Sequence, residues 1–149
     1  MFDSGVIGRE GASFQMVVER GKVREFAAAT HAQDQGYLID ERPVSPPTFL
    51  ATAAFWEGPG CSPFDGLDFN AERVLHGEQE FVFTGPPPRA GTVLTARQRV
   101  DNVFTKQGKR GGTMSFITVV TDFHDLAGKL VAQAKMTVIE TEQAPAGDA

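Results

Sequence analysis

The second half of the chain alternates apolar and polar residues at the period of two that is typical of β-strands. Four segments carry this pattern: 74–85, 91–105, 112–124 and 128–140. In the second segment one face consists of Leu94, Ala96, Gln98 and Val100. The link between the last two segments, 125–128, is short, so these two strands are predicted to be antiparallel neighbours.

The N-terminal quarter shows first the strand period and then the helix period. Residues 13–19 are apolar at every second position, which predicts a strand. In residues 21–30 the apolar stripe instead follows the spacing i, i+3, i+4, i+7 through Val23, Phe26, Ala27 and Thr30. This spacing is typical of an amphipathic helix.

Residues 45–58 predict a second helix, with Ser45 as its N-cap and Pro46 and Pro47 in the first turn, where a missing N–H is tolerated. Its remaining positions are apolar nearly all round, which is typical of a helix buried on most sides. The element order is then strand, helix, buried helix and a run of long strands. This order predicts an α+β fold, a single hot-dog unit in which an antiparallel sheet wraps around a central helix.

Composition places the chain among globular proteins and narrows its partners. The chain is 41% apolar and 22% charged, which is typical of a globular protein, and its 149 residues are enough to form one domain with a buried core. The domain is predicted over 1–140, with a disordered tail at 141–149. No apolar run could span a membrane, and the N-terminus does not resemble a signal peptide. The net charge of −5 argues against nucleic acid as a partner. One cysteine is compatible with the cytoplasm.

Two features of the sequence bear on whether it binds a phosphate, a metal or a cofactor. The basic stretch 105–112 is interpreted as a solvated hairpin tip rather than a phosphate site. We expect no metal, because His, Cys and carboxylate residues are not spaced as ligands, and no cofactor, because no glycine-rich loop precedes a helix.

Four segments together resemble the MaoC-like dehydratase family, in particular its N-terminal, FAS1-like type of hot-dog domain. These are "ERGKVREFAAAT" (19–30), "PPTFL" (46–50), "FNAERVLHGEQEF" (69–81) with "PPPRAGTVLTA" (86–96), and "DLAGKLVAQAKMTVI" (125–139). They occur in the family's order and cover most of residues 14–140. The stretch "VLHGEQEF" is the most specific of them.

This resemblance implies hydration or dehydration of an acyl thioester, between (3R)-hydroxyacyl and trans-2-enoyl groups on CoA or acyl carrier protein. It also implies pairing of two hot-dog units, as a homodimer or as a heterodimer with a subunit that carries the catalytic Asp/His dyad. The catalytic unit of the family has a motif like Ser-Gly-Asp-x-Asn-Pro-(apolar)-His. Aligned without gaps from Thr30, its Asp falls on Ala32 and its His on Tyr37. Neither residue can replace the missing acid/base group.

His31 and Asp34 lie next to these positions and are the candidate catalytic residues of a displaced site. The alternative is that both satisfy local backbone groups at a helix C-terminus and in the following loop. The hypotheses are therefore a dyad-lacking subunit that accommodates substrate, or an autonomous enzyme acting on a specialised acyl or polyketide-like chain. A hot-dog thioesterase ranks lower. Such an enzyme needs a carboxylate or another polar activating group that faces the thioester from the central helix, and this helix carries only Thr48 and Thr52 before Glu57.

Four residues are predicted to contact substrate: Tyr37, Pro47, Thr48 and His76. Tyr37 would line the acyl tunnel or hydrogen-bond the thioester, unless it packs in a loop with its hydroxyl in water. Thr48 would offer its backbone N–H to the thioester oxygen. His76 is interpreted as structural or tunnel-lining, and strand alternation predicts that Glu78, not Gln79, points the same way.

Overall fold

Five strands form one antiparallel sheet in the computed structural model, which describes residues 2–108 and 112–142. The strands are β1 (Phe14–Val17), β2 (Val74–Phe83), β3 (Val93–Gln107), β4 (Thr113–His124) and β5 (Leu130–Thr141). Their spatial order is β1-β3-β4-β5-β2. The predicted antiparallel pairing of the last two long strands is confirmed, and β1 and β2 form the two edges of the sheet.

Two α-helices and one longer 3-10 helix accompany the sheet. Helix α1 spans Arg20–Ala29, α2 spans Gly36–Ile39, and the central helix spans Phe49–Trp56 as a 3-10 helix. Short 3-10 turns occur at Ser4–Val6 and Ala71–Arg73. These elements confirm the α+β class and the hot-dog plan.

The main core lies between the central helix and the inner face of the sheet. Phe49 and Leu50 of the helix are fully buried against Leu94 of β3 and Phe123 of β4. The ring of Phe26 from α1 meets Phe49 edge to face, with 5.7 Å between ring centroids. Because α1 and the central helix share this contact, the position of the α1 C-terminus is coupled to the packing of the core.

The central helix differs from its prediction in its start and in its burial. Ser45 is not its N-cap: the Ser45 N–H donates to the Pro88 carbonyl at 2.9 Å, and the helix begins at Phe49 with Thr48 as the cap. Pro46, like Ser45, precedes a proline and therefore favours extended backbone, so helical turns cannot begin directly after Ser45. The helix is also buried on one side only, since Phe55 is 77% exposed.

Two sequence predictions fall partly outside the described residues. The predicted hairpin tip, 105–112, includes residues 109–111, and the predicted tail, 141–149, includes residues 143–149, none of which the structure describes. Strand β5 continues to Thr141, one residue past the predicted domain boundary. The boundary itself stays a prediction.

Candidate functional site

His31 lies two residues beyond the end of helix α1 and directly follows the C-cap Thr30. Its φ of 54° is left-handed, its N–H donates to the Ala28 carbonyl at 3.2 Å, and the Ala32 N–H donates to the Ala27 carbonyl at 2.9 Å. These two hydrogen bonds form a Schellman motif, which satisfies carbonyls at the end of a helix. His31 is solvent-exposed and lies at a helix C-terminus, where the alternative to a catalytic role places it.

Asp34 starts the next turn of chain. Its Oδ1 accepts a hydrogen bond from the Gly36 N–H at 2.8 Å, an Asx turn that leads into α2. Asp34 is exposed, and within residues 2–108 and 112–142 no hydrogen bond or ion pair joins it to His31. The structure therefore gives each residue a local backbone role and does not bond them to one another. Their catalytic role stays a prediction.

Ala32 and Tyr37, at the positions matched to the family dyad, carry no acid/base pair. Tyr37 is half-buried with its ring against the main core, and its N–H donates to the Asp34 carbonyl at 3.3 Å. Its hydroxyl makes no hydrogen bond to another described residue. The ring is thus placed by packing on the core, and its contact with substrate stays a prediction.

Pro47 and Thr48 are exposed at the start of the central helix. The Thr48 carbonyl accepts from the Ala51 N–H at 3.1 Å, while the Thr48 N–H donates to no other described residue. A free N–H at a helix start can donate to a developing oxyanion. Its role as the donor to a thioester oxygen stays a prediction.

His76 lies on the edge strand β2 and is exposed. A β-bulge at Gly77 interrupts the pairing with β5: His76 stands opposite Val138, whereas Glu78 stands opposite Thr137. Adjacent residues of β5 face opposite sides of the sheet, so His76 and Glu78 also face opposite sides. The prediction that Glu78 points the same way as His76 is wrong, because strand alternation does not persist through a bulge.

The bulge instead brings Gln79 to the side of His76. Gln79 stands opposite Met136, which lies on the same face of β5 as the buried Val138. This is the inner face of the sheet, towards the central helix. The edge strand therefore contributes an amide to the space beneath that helix.

A pocket of about 120 Å³ occupies this space between the central helix and the sheet. Its apolar wall includes Leu50, Ala53, Val119, Ala134 and Met136. Its polar groups come from the helix end and three strands: Glu57, Gln79, Gln98 and Thr121. This combination of an apolar wall and a few convergent polar groups is that of small-molecule sites, but the pocket is smaller than the roughly 300 Å³ at which such sites usually begin.

Glu57 is the acidic group of this pocket. Burial raises the pKa of the Glu57 carboxyl above its ordinary value, the hydrogen bond from Gln98 lowers that pKa, and the charge of Asp65 raises it. The Gln98 Nε2 donates to the Glu57 Oε1 at 2.5 Å. Sequence reasoning mentioned Glu57 only as the end of a helix and did not assign it to the site.

Two further properties bear on what the site can hold. Across the described ranges, His, Cys, Asp and Glu form no group of three or more that could hold a metal ion. In the same ranges no helix is both long enough and apolar enough to cross a membrane.

Comparison with known proteins identifies the family. The family model described as "FAS1-like, dehydratase domain region" matches residues 5–134, so the chain belongs to this family. A protein of Streptomyces avermitilis named UPF0336 protein is 32% identical over 127 residues, which cover 78% of this chain and 79% of that protein. The predicted resemblance to MaoC-like dehydratases is confirmed.

Solved structures give the same fold. One chain of the C-terminally truncated HadBC (3R-hydroxyacyl-ACP dehydratase) complex from Mycobacterium tuberculosis matches with a TM-score of 0.69 and 22% identity, over 90% of this chain and 96% of that chain. A MaoC-like dehydratase matches with a TM-score of 0.75 and 24% identity, over 92% of this chain but 42% of that chain. At these identities the likeness shows the hot-dog fold.

Proposed function

We propose that this chain is the dyad-lacking, substrate-accommodating subunit of a two-hot-dog dehydratase that acts on enoyl or 3-hydroxyacyl thioesters of CoA or acyl carrier protein. The observation that carries the proposal is the pair Ala32 and Tyr37 at the positions matched to the family's acid/base dyad. We further propose that the subunit acts in the cytoplasm, with which a single free thiol, Cys61, is compatible.

The reaction needs a positioned base, an acid and a donor for the enolate-like oxygen. This chain offers a candidate for the third need in the Thr48 N–H, and a pocket beneath the central helix for part of an acyl chain. It offers no bonded acid/base pair among His31, Asp34 and Tyr37. The base and acid are therefore assigned to a partner subunit.

Two surfaces support a second hot-dog unit as the partner. Strand β2 is a ten-residue edge strand whose residues 75–80 are all exposed, and unpaired strand edges favour pairing with another chain. On the central helix, Phe55 is 77% exposed and lies beside exposed Ala51 and Ala54. The structure named HadBC is a complex, which makes a heterodimer the arrangement to test first.

The first experiment measures hydration of trans-2-enoyl-CoA by the purified chain, alone and with a dyad-carrying MaoC-like subunit. We expect no turnover by the lone chain and turnover by the mixture. Turnover by the lone chain that falls in His31→Ala or Asp34→Ala would instead favour an autonomous enzyme with a displaced site.

The second experiment tests the surface with a matched pair of variants. Phe55→Glu puts a charge on the central-helix face, and Leu126→Glu puts one on the β4–β5 turn, at 77% and 76% exposure respectively. We expect Phe55→Glu to weaken association with the partner in sedimentation, while Leu126→Glu does not. Equal effects of the two variants would contradict this assignment of the interface.

A further inference from the structure

The pocket beneath the central helix has a polar end that a plain alkyl chain does not need. Gln98 lies on the inner face of β3, where Leu94, Ala96 and Val100 are buried. An amide among apolar side chains costs free energy unless its hydrogen bonds are made. The Glu57 carboxylate accepts one of them at 2.5 Å, which leaves further donor and acceptor capacity for a ligand.

The charges around Glu57 and the apolar wall of the pocket together favour a neutral ligand. No Lys or Arg forms an ion pair with Glu57 within the described ranges, and the nearby charge that acts on it is the carboxylate of Asp65. A ligand carboxylate would therefore be repelled. The rest of the wall, including Val119 and Met136, is apolar and disfavours charge of either sign.

The pocket volume limits the size of what binds. At about 120 Å³ it is somewhat smaller than the engineered cavity of about 150 Å³ that holds benzene. At roughly 30 Å³ for a water-sized group, it has room for about four heavy atoms. Such a volume takes one segment of an acyl chain and leaves the rest outside.

We propose that this pocket binds a segment of the acyl chain that bears a hydroxyl or ketone oxygen, and that Glu57 and Gln98 select this chain over a plain alkyl chain. The inference rests on the proposed function for its thioester, and it names the substrate class. A hydroxyl or ketone would use the hydrogen-bonding capacity that the Glu57–Gln98 bond leaves over, whereas an alkyl chain would leave that remaining capacity desolvated and unused.

The activity test uses the complex with a dyad-carrying subunit and pairs of trans-2-enoyl-CoA thioesters of equal length, with and without a hydroxyl on the distal part of the chain. For the pair whose hydroxyl reaches the pocket, we expect kcat/KM of the hydroxylated thioester to exceed that of the plain thioester by about tenfold, which is the worth of a hydrogen bond that is left unmade. Glu57→Leu and Gln98→Leu should bring the ratio close to one. Glu57→Gln should keep most of it, because the amide still forms hydrogen bonds.

Gln133→Leu is the matched control. Gln133 also donates to a carboxylate, Asp122, at 2.6 Å, but on the outer face of the sheet. Its loss should leave the preference unchanged. An unchanged preference in Glu57→Leu, or a loss of turnover on both substrates in Glu57→Gln, would overturn the inference, the latter because it would make Glu57 an acid/base group.

A binding measurement separates this inference from the proposed function. Isothermal titration calorimetry of the chain with saturated, unreactive acyl-CoA pairs requires no dehydratase activity. A preference for the hydroxylated member that Glu57→Leu abolishes supports the pocket assignment even if no complex is active. Equal binding of the two members by the wild-type chain would overturn it even if the complex is active.

Discussion

The most informative single substitution is His31→Gly. A non-glycine residue in the left-handed region costs about 1–2 kcal/mol, and His31 has φ 54°. Glycine removes that cost but adds about 0.5–1 kcal/mol of backbone entropy. The difference predicts that His31→Gly raises the free energy of unfolding by up to about 1.5 kcal/mol. The Schellman hydrogen bonds use only backbone atoms, so they persist in the variant.

The assay is urea denaturation at alkaline pH, where imidazoles are neutral, together with turnover of the complex. His31→Asn is the control, because asparagine tolerates the left-handed region but does not exchange protons. We expect His31→Asn to match the wild-type stability and both variants to keep full turnover. The capping account is refuted if His31→Gly is less stable than wild type, or if both variants fold normally but lose turnover.

Two further predictions concern packing and pH. In Gly11→Ala the new Cβ would lie 1.8 Å from the backbone oxygen of Cys61, so we expect the free energy of unfolding, measured by thermal unfolding, to fall by about 3 kcal/mol or more. The control is Gly21→Ala, in open space on α1, which should raise the free energy of unfolding by about 0.5–1 kcal/mol. Similar effects of the two substitutions would contradict the close approach at Gly11. Because the pKa of Glu57 is raised in the folded state, the native protein binds more protons than the unfolded chain, and stability falls as pH rises from the ordinary glutamate pKa through the raised one. Glu57→Gln should therefore gain stability relative to wild type across that window in denaturation series, and a constant difference would contradict the burial of this carboxyl.

Local pattern predicts β3, β4 and β5 well because each of these strands buries residues at alternate positions along much of its length. The observed β5 confirms the strand predicted from the alternation in 128–140, and its antiparallel pairing with β4 confirms the prediction from the short link 125–128. The helix period in 21–30 likewise gives α1, whose buried residues are Val23 and Ala27. In these segments burial of one face and local propensity agree.

The start of the central helix and the faces of β2 could not be obtained from the same patterns. Ser45 reads as an N-cap, but its N–H bonds to Pro88, a contact made only when distant segments meet. Gly77 is the residue that signals the bulge, since glycine inside a strand often marks one. Alternation alone carries no information on whether a bulge forms, so Glu78 and Gln79 were assigned to the wrong faces.

The sequence carries one signal for the polar end of the pocket, Gln98. Gln98 stands in line with Leu94, Ala96 and Val100 on the inward face of a predicted strand, and a polar residue in such a row requires a partner. Its partner Glu57 lies 41 residues away along the chain. Only the folded chain brings the helix end over β3, so the pair emerges from tertiary structure.

The central claim is that this chain completes a dehydratase without supplying its acid/base dyad. The most direct measurement is a titration of the chain into a fixed amount of a dyad-carrying MaoC-like subunit, with the rate of trans-2-enoyl-CoA hydration as the readout. We predict no rate for the chain alone, and a rate that rises with added chain and saturates at one chain per dyad-carrying subunit. A rate proportional to the chain in the absence of the partner would contradict the claim, as would a partner rate that the chain leaves unchanged.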